Sequence, residues 1–258
     1  MKRFIVPLLT LALASFVGAC SDDSSSPATM GTLSIRITDA PANYEQVNIT
    51  FAEIAAHVDG RWVVVSASPV TINLLEWNNG NSVEVGRADL GPGKCTQIRL
   101  MVTHAEVVVG GVTHNLDIPS ADQTGLKLIT NFDIVAGSTY ELILDFDAHR
   151  SIITTGPPFS PTGYKLRPTI RVIERAMTGS IKGIVTNLEH PTLATASQGA
   201  VVVTSTPVNM SNGEFRLAFL AAGEYDVRVE DILGNFYEQS DIEVFAGQSS
   251  DIGNITLE

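Results

Sequence analysis

The sequence predicts an all-β protein of two β-sandwich domains in series, preceded by a signal peptide and a flexible tether. Apolar residues alternate with polar ones along many short segments, which is the period of strands with one buried face. Turn-forming residues separate these segments, and no stretch shows a helical period of useful length, the best helical candidate being residues 51–57. Many short strands joined by frequent turns are typical of β-sandwiches and barrels.

The first domain is predicted over residues 31–175. Its clearest strands carry alternating apolar residues, namely Leu33-Ile35-Ile37, Val47-Ile49-Phe51, Ile98-Leu100-Val102 and Tyr140-Leu142-Leu144-Phe146. Turn sequences lie between the strands, at Asp59-Gly60, Asn78-Asn79-Gly80, Gly91-Pro92-Gly93, Gly110-Gly111, Ala136-Gly137 and Gly156-Pro157-Pro158. The segment from Tyr164 to Ile173 is predicted to be the closing strand.

The second domain is predicted over residues 178–258, after a boundary near Met177. A fresh set of short strands follows, at residues 180–185, 200–203, 214–217, 225–229, 242–244 and 252–257. Six or seven strands in about 80 residues fit a single small sandwich.

The N-terminus predicts export. Lys2 and Arg3 precede an apolar run that ends at Phe16. This run is shorter than the roughly 20 residues of a transmembrane helix, so residues 1–19 are expected to be a cleaved signal peptide. The following Val17-Gly18-Ala19-Cys20 resembles the bacterial lipoprotein box. That resemblance implies a lipid on Cys20, which would hold the mature chain on a membrane.

Residues 20–30 are expected to be the lipidated cysteine and its tether, because the segment is small, polar and acidic. Ser21, rather than aspartate, follows the cysteine, and this favours the outer membrane. The run Ser21-Asp22-Asp23 also resembles the acidic export signal of surface lipoproteins, although these residues equally suit a solvating linker. We therefore expect a lipid-anchored protein of the bacterial cell envelope, facing either the surface or the periplasm.

The charge of the chain excludes some partners. The formal net charge is -12, and residues 178–258 hold eleven acidic and three basic side chains. An acidic surface repels phosphate backbones, so a nucleic-acid partner is not expected.

The cysteines and histidines predict no cofactor or metal site. With Cys20 acylated, Cys95 has no partner for a disulfide and is expected to be a buried free thiol. The histidines are scattered without metal-binding spacing, at positions 57, 104, 114, 149 and 190.

Residues 31–173 resemble the domain-of-unknown-function family 4382. The matching segments are Gly31-Thr32-Leu33, Thr38-Asp39-Ala40-Pro41, Pro119-Ser120, Gln123-Thr124-Gly125-Leu126-Lys127-Leu128, Leu144-Asp145-Phe146-Asp147-Ala148, Ser151-Ile152 and Tyr164-Lys165-Leu166-Arg167-Pro168. The resemblance implies an envelope-associated all-β module and supplies no activity.

Residues 178–258 resemble the carboxypeptidase-regulatory-like, transthyretin-like sandwiches. The cues are Gly179-Ser180-Ile181-Lys182-Gly183-Ile184-Val185, Gly199-Ala200-Val201, Gly213-Glu214-Phe215, Ala222-Gly223-Glu224-Tyr225-Asp226-Val227 and Gly247. The resemblance implies a spacer or interaction module, and any link to sugar binding is fold-level analogy.

Two carboxylates are the candidates for catalysis. Asp145 and Asp147 lie two apart on a predicted strand, which places both on one face about 7 Å apart. This separation suits an inverting glycosidase and also a contribution to a calcium site. The remaining alternative is a structural role with Arg150 or Arg167.

Aromatic residues beside turns are the candidates for sugar binding. Trp77 precedes Asn78-Asn79-Gly80, and Phe236 and Tyr237 follow Gly234-Asn235. These rings would offer stacking faces to a glycan, or they would seal the ends of a sandwich.

The sequence therefore predicts a non-enzymatic, membrane-anchored envelope lipoprotein that acts as a binding or structural interaction module. Its partners would be the membrane, through the lipid on Cys20, and a glycan or an envelope protein. Two alternatives stay open. One is a carbohydrate-binding surface protein, and the other is a hydrolase that uses Asp145 and Asp147.

Overall fold

The computed structural model describes residues 29–40, 42, 44–118, 125–157 and 161–258. Nearly all of these residues belong to strands or to the turns between them, which confirms the all-β prediction. The proposed signal peptide and Cys20 lie outside the described residues. Among the helices of the described part, none has the length and apolar character needed to cross a membrane.

The first twelve strands form two sheets around one core. They are β1 (Gly31–Ala40), β2 (Gln46–Val58), β3 (Arg61–Ser66), β4 (Val70–Asn73), β5 (Val83–Leu90), β6 (Gly93–Val109), β7 (Val112–Asp117), β8 (Leu126–Ile134), β9 (Thr139–Asp147), β10 (Ile152–Thr155), β11 (Gly163–Leu166) and β12 (Ile170–Glu174). One sheet has the order β12-β9-β1-β5. The other has the order β10-β11-β7-β6-β2-β3, with β4 added to β2 and β8 added to β6.

The alternation along β1 explains its place in the first sheet. Leu33, Ile35 and Ile37 are fully buried in the core between the sheets. β1 pairs with β5 in antiparallel fashion and with β9 in parallel fashion. It is therefore an inner strand, with both of its edges hydrogen-bonded.

The candidate helix at residues 51–57 is a strand instead. β2 runs unbroken from Gln46 to Val58 and pairs along most of its length with β6. On its other edge it pairs first with β4 and then with β3. The strand is bulged near Phe51, and beyond the bulge the core-facing positions change from odd-numbered to even-numbered residues.

The predicted closing strand from Tyr164 to Ile173 is two strands that lie in different sheets. β11 belongs to the larger sheet and β12 to the smaller one. Pro168 lies between them and has no N–H with which to continue a ladder. Ser151 holds the crossing, because its carbonyl accepts the N–H of Arg167 at 2.7 Å and its hydroxyl accepts the N–H of Thr169 at 2.8 Å.

The last seven strands form two further sheets. They are β13 (Thr178–Val185), β14 (Thr192–Gln198), β15 (Val201–Pro207), β16 (Glu214–Ala221), β17 (Gly223–Asp231), β18 (Phe236–Val244) and β19 (Ser249–Ile255). The sheet orders are β16-β13-β19 and β15-β14-β17-β18. β14 was absent from the sequence prediction.

The two halves of the chain bury separate sets of apolar side chains. One core ends in sequence at Leu166 and the other begins at Ile181. A short 3-10 turn, Arg175–Met177, joins β12 to β13. The bounds 31–175 and 178–258 are compatible with this arrangement and remain a prediction.

Candidate binding groove beside the junction of the two halves

The turn at Asn79 in the N-terminal half contacts the C-terminal half. Asn79 and Gly80 both have positive φ, at 55° and 82°. Asparagine and glycine are the residues that best accept this conformation, so the turn predicted here is explained locally. The turn places the side chain of Asn79 against β15 and β16.

Asn79 makes four hydrogen bonds across the junction. Its Oδ1 accepts the hydroxyl of Thr206 at 2.7 Å and the N–H of Arg216 at 3.2 Å. Its Nδ2 donates to the carbonyl of Pro207 at 3.1 Å, and its N–H donates to Thr206 Oγ1 at 3.2 Å. The side-chain amide therefore fixes the ends of two strands that belong to different sheets.

A groove of about 440 Å³ starts at this turn and runs over the outer face of the β16-β13-β19 sheet. We call it the junction groove. The polar side chains of its wall are Asn79, Lys182, Asn209, Glu214, Arg216, Asp251 and Asn254. This volume lies in the range of small-ligand sites, which is about 300 to 1,000 Å³.

Strand register brings the groove side chains together. Lys182 on the central strand β13 is opposite Arg216 of β16 and Asp251 of β19. Ile184 is in turn opposite Glu214 and Asn254. The intervening Ile181, Gly183 and Val185 point into the core, so the polar residues share the outer face.

A β-bulge shapes one wall of the groove. The register against β19 shifts between Lys182 and Ile184. Asp251 is therefore opposite Lys182, and Asn254 is opposite Ile184. Gly253 has a φ of 75°, and its N–H donates to Asp251 Oδ1 at 2.9 Å. Without the extra residue Asn254 would point to the opposite face. Bulges of this kind re-aim side chains and are common next to functional sites.

The charges in the groove are mixed. Lys182 Nζ lies 3.0 Å from Asp251 Oδ2. The N–H of Gly253, followed by Lys182, lowers the pKa of Asp251 below its ordinary value. Arg216 donates from Nε and Nη2 to the hydroxyl of Ser180, at 3.2 and 3.1 Å. The groove thus offers charged and neutral hydrogen-bonding groups, and it is suited to binding a polar ligand.

The geometry gives Asp145 and Asp147 no role in hydrolysis. Asp145 is buried, and Arg171 Nη2 lies 2.6 Å from its Oδ2. Burial raises the pKa of Asp145, and Arg171 opposes that shift. The cavity beside Asp145 is about 10 Å³, which holds one water at most. This cavity therefore has no room for a substrate beside Asp145.

Asp147 has a structural role close to the one considered from the sequence. Its Oδ1 accepts the N–H of Arg150 at 2.9 Å, so it caps the short helix α1 (Ala148–Ser151). Arg150 also pairs with Asp147, its Nε lying 3.4 Å from Oδ2, as the structural alternative expected. The partner of Asp145 is instead Arg171. Buried Asp39 accepts the N–H of Ala148 at 2.9 Å and so contacts the same helix.

The aromatic candidates lie away from the groove. Trp77 is half-buried, and its carbonyl accepts the N–H of Asp39 at 2.7 Å. Tyr237 packs against the C-terminal core and donates from its hydroxyl to Gln239 at 2.8 Å. Phe236 is 40% exposed, but the guanidinium of Arg228 covers its ring at 3.9 Å. These contacts fit the structural interpretation of the three rings.

Cys95 is a buried free thiol, as expected. Burial raises its pKa to about 11, so it is a poor nucleophile at neutral pH. Over the described ranges, no three His, Cys, Asp or Glu residues are grouped closely enough to hold a metal ion.

Sequence reasoning missed the groove. Its residues come from three strands and a distant turn, and their pairing is set by register that the sequence does not display. One signal was present, because Lys182 and Arg216 are two of the three basic residues between positions 178 and 258.

Comparison with solved structures gives only remote likenesses. The Bacillus anthracis TIE protein matches with a TM-score of 0.24 and 9% identity, over 89% of this chain and 51% of that one. The minor pilin of Streptococcus agalactiae gives a TM-score of 0.21 and 9% identity, over 87% and 94% of the two chains. The shaft pilin SpaA of Lactobacillus rhamnosus GG gives 0.22 and 11%, over 89% and 98%. This chain spans about half the length of the first of these proteins, and likenesses at this level carry no functional argument.

No curated protein matches the chain. The family model named "Domain of unknown function (DUF4382)" matches residues 30–168, which is more than half of the 258 residues. This match agrees with the segments that suggested the family from the sequence. The chain therefore belongs to the DUF4382 family.

Proposed function

We propose that this chain is a non-enzymatic, lipid-anchored protein of the bacterial cell envelope, and that it acts as a binding or structural interaction module through the junction groove. The observation that carries the proposal is the groove itself. It is open, it is lined by polar side chains from three strands, and the Asn79 turn of the other half closes one end. The catalytic candidates Asp145 and Asp147, by contrast, are engaged in structural contacts.

The anchor is inferred from Val17-Gly18-Ala19-Cys20, and it would hold the protein at the outer membrane, facing either the surface or the periplasm. Residues 20–30 would act as the tether. We further infer that residues 178–258 are a transthyretin-like, carboxypeptidase-regulatory-like sandwich. Seven strands in sheets of three and four support that inference.

The anchor is tested by replacing Cys20 with alanine and labelling cells with a radioactive fatty acid. We expect the label to be lost and the protein to leave the membrane fraction. Cys95→Ala is the matched control, because it removes the other cysteine of the chain and should keep the label. Persistent labelling of the Cys20→Ala protein would show that the anchor is elsewhere.

The groove is tested in intact cells with a photo-crosslinking amino acid at Asn254. The control position is Glu238, which is exposed on the sheet that does not form the groove. We expect an envelope adduct from position 254 and none from position 238. The absence of any adduct at 254 would contradict a contact role for the groove.

A carbohydrate partner is the second candidate function. It is no longer supported by Trp77 or Tyr237, since neither lines the groove. Support comes from the side-chain amides and carboxylates on the open sheet face, because they match the donors and acceptors of sugar hydroxyls.

A further inference from the structure

Arg216 differs from the other basic side chains of residues 178–258. Lys182 is paired with Asp251, and Arg228 is paired with Glu230 and Glu238. Arg216 makes no ion pair with any carboxylate of the described residues, and its guanidinium donates to the neutral hydroxyl of Ser180. An uncompensated arginine is unexpected in a segment with eleven acidic side chains.

The guanidinium of Arg216 is held in a fixed orientation. Nε and Nη2 both donate to Ser180 Oγ, and the backbone N–H of the same residue donates to Asn79. Nη1 keeps its donors for another acceptor. A planar, oriented guanidinium is the group that best recognises a carboxylate through paired hydrogen bonds.

The nearby carboxylates have other partners. Asp251 accepts from Gly253 and contacts Lys182, while Glu214 accepts the side-chain amide of Asn212 at 2.8 Å. The negative charges of these two acids also repel a ligand that carries more than one negative charge. The balance of charge therefore favours a ligand with one carboxylate over a dianion such as a phosphate monoester.

The rest of the groove suits a hydroxylated ring. Asn254 makes no side-chain hydrogen bond with other described residues, and the bulge at Gly253 turns it toward the groove. The Nδ2 group of Asn209 is likewise available, since the side-chain hydrogen bonds of Asn209 to the described residues use Oδ1. Ile184, which is 38% exposed, supplies a small apolar surface between them. Donors, acceptors and an apolar surface together are what a sugar ring needs.

We propose that the junction groove binds an acidic saccharide, with the sugar carboxylate on Arg216 and ring hydroxyls on Asn254 and Asp251. The inference rests on the proposed function and specifies the ligand class of the same groove. Arg216 acts here as the residue that selects acidic over neutral sugars.

The test compares two sugars that differ only in the carboxylate. Cellobiouronic acid and cellobiose are titrated into the full lipidated chain in mild detergent, and Kd is measured by calorimetry or NMR. We expect the acid to bind at least about tenfold more tightly, because its carboxylate adds hydrogen bonds between charged partners. Added salt should reduce that preference.

Variants test whether the junction groove causes the preference for the acidic sugar. Arg216→Gln should remove the discrimination between the two sugars, and Asn254→Ala should weaken both. Arg228→Gln, on the other sheet, should change neither Kd. Thermal melting establishes that each variant is folded. Ser180→Ala should also remove the discrimination between the two sugars, because it keeps Arg216 but takes away the hydroxyl that orients its guanidinium.

Equal affinity for the two sugars, binding of neither, or tighter binding of glucose 6-phosphate would each overturn the acidic-saccharide assignment. If no sugar binds but the adduct at position 254 still forms, the assignment fails and the proposed function stands. If the adduct is also absent, both fail.

Discussion

The hydroxyl of Thr206 donates a 2.7 Å hydrogen bond to the side-chain oxygen of Asn79, which lies 127 residues earlier in the chain. The same oxygen accepts the backbone N–H of Arg216. Thr206 is buried, with 2% of its surface exposed. The contact therefore joins the two halves away from solvent, at one end of the junction groove.

Asn79→Gly should weaken the coupling between the two halves. Glycine keeps the positive φ, so the change removes the side-chain hydrogen bonds with little backbone strain. We expect a loss of about 1 to 3 kcal/mol, because buried donors and acceptors lose their partner. A double-mutant cycle with Thr206→Val, measured by urea unfolding, should give a coupling energy well above zero. Additive effects would show that the contact is not formed in solution.

Removal of Arg171 should destabilise the chain more than neutralisation of Asp145. Arg171→Ala leaves a buried carboxylate without its cation, which costs about 3 to 5 kcal/mol, whereas Asp145→Asn leaves a partly exposed arginine that water can solvate. Urea unfolding at pH 7 measures both. A larger loss for Asp145→Asn would contradict the expected order.

The defect of Arg171→Ala should also depend on pH. Burial raises the pKa of Asp145 in the folded chain above the ordinary 3.8. At a pH between the ordinary and the raised pKa of Asp145, the folded state binds more protons than the unfolded state. The free energy of unfolding therefore increases as the pH falls through the raised pKa. Without Arg171 the pKa rises further. The defect should therefore be smaller at pH 5 than at pH 7, whereas the defect of Asn79→Gly should not change in this way.

Cys95 should resist thiol reagents until the chain unfolds. Its pKa of about 11 and its burial both suppress attack at pH 8, so labelling should follow the rate of unfolding in urea. Stability should also fall as pH rises from 9 toward 11, because the unfolded thiol ionises first while the folded thiol stays protonated. Cys95→Ala should lack this thiol-dependent part of the decline.

Ser151→Ala should destabilise the crossing between the two sheets of the N-terminal half. The change removes the fully buried hydroxyl of Ser151, which accepts the N–H of Thr169 in the folded chain. We expect a loss of about 1 to 3 kcal/mol in thermal or urea unfolding. Thr162→Ala is a matched control, since its hydroxyl bond to Thr155 is exposed and should contribute less.

The strands that sequence reasoning predicted are those with large apolar residues at alternate positions. Leu33, Ile35 and Ile37 are an example, and all three are buried. β14 was missed because its inward positions hold Thr192, Ala194 and other small residues, which give little periodic signal. Their burial depends on Val227 and Val229 of the neighbouring strand, a fact of pairing rather than of local sequence.

The groove was harder to predict than the fold. Arg216 and Lys182 become neighbours only through strand register, and Asn254 faces the groove only because β19 contains a bulge. Asp145 and Asp147 were correctly placed on a strand near the edge of the core. The sequence could not show that Arg171, from the neighbouring strand of the same sheet, pairs with Asp145.

The parallel pairing of β1 with β9 has a consequence for the order in which the protein folds. Thr32 is opposite Thr139, so the first described strand obtains this partner only after more than a hundred further residues have emerged. Closing so long a loop is entropically costly, and folds dominated by such non-local pairs form slowly. Until β9 has emerged, one edge of the apolar strand β1 stays unpaired. Because an unpaired edge promotes aggregation, the nascent chain is more exposed to aggregation than the finished protein.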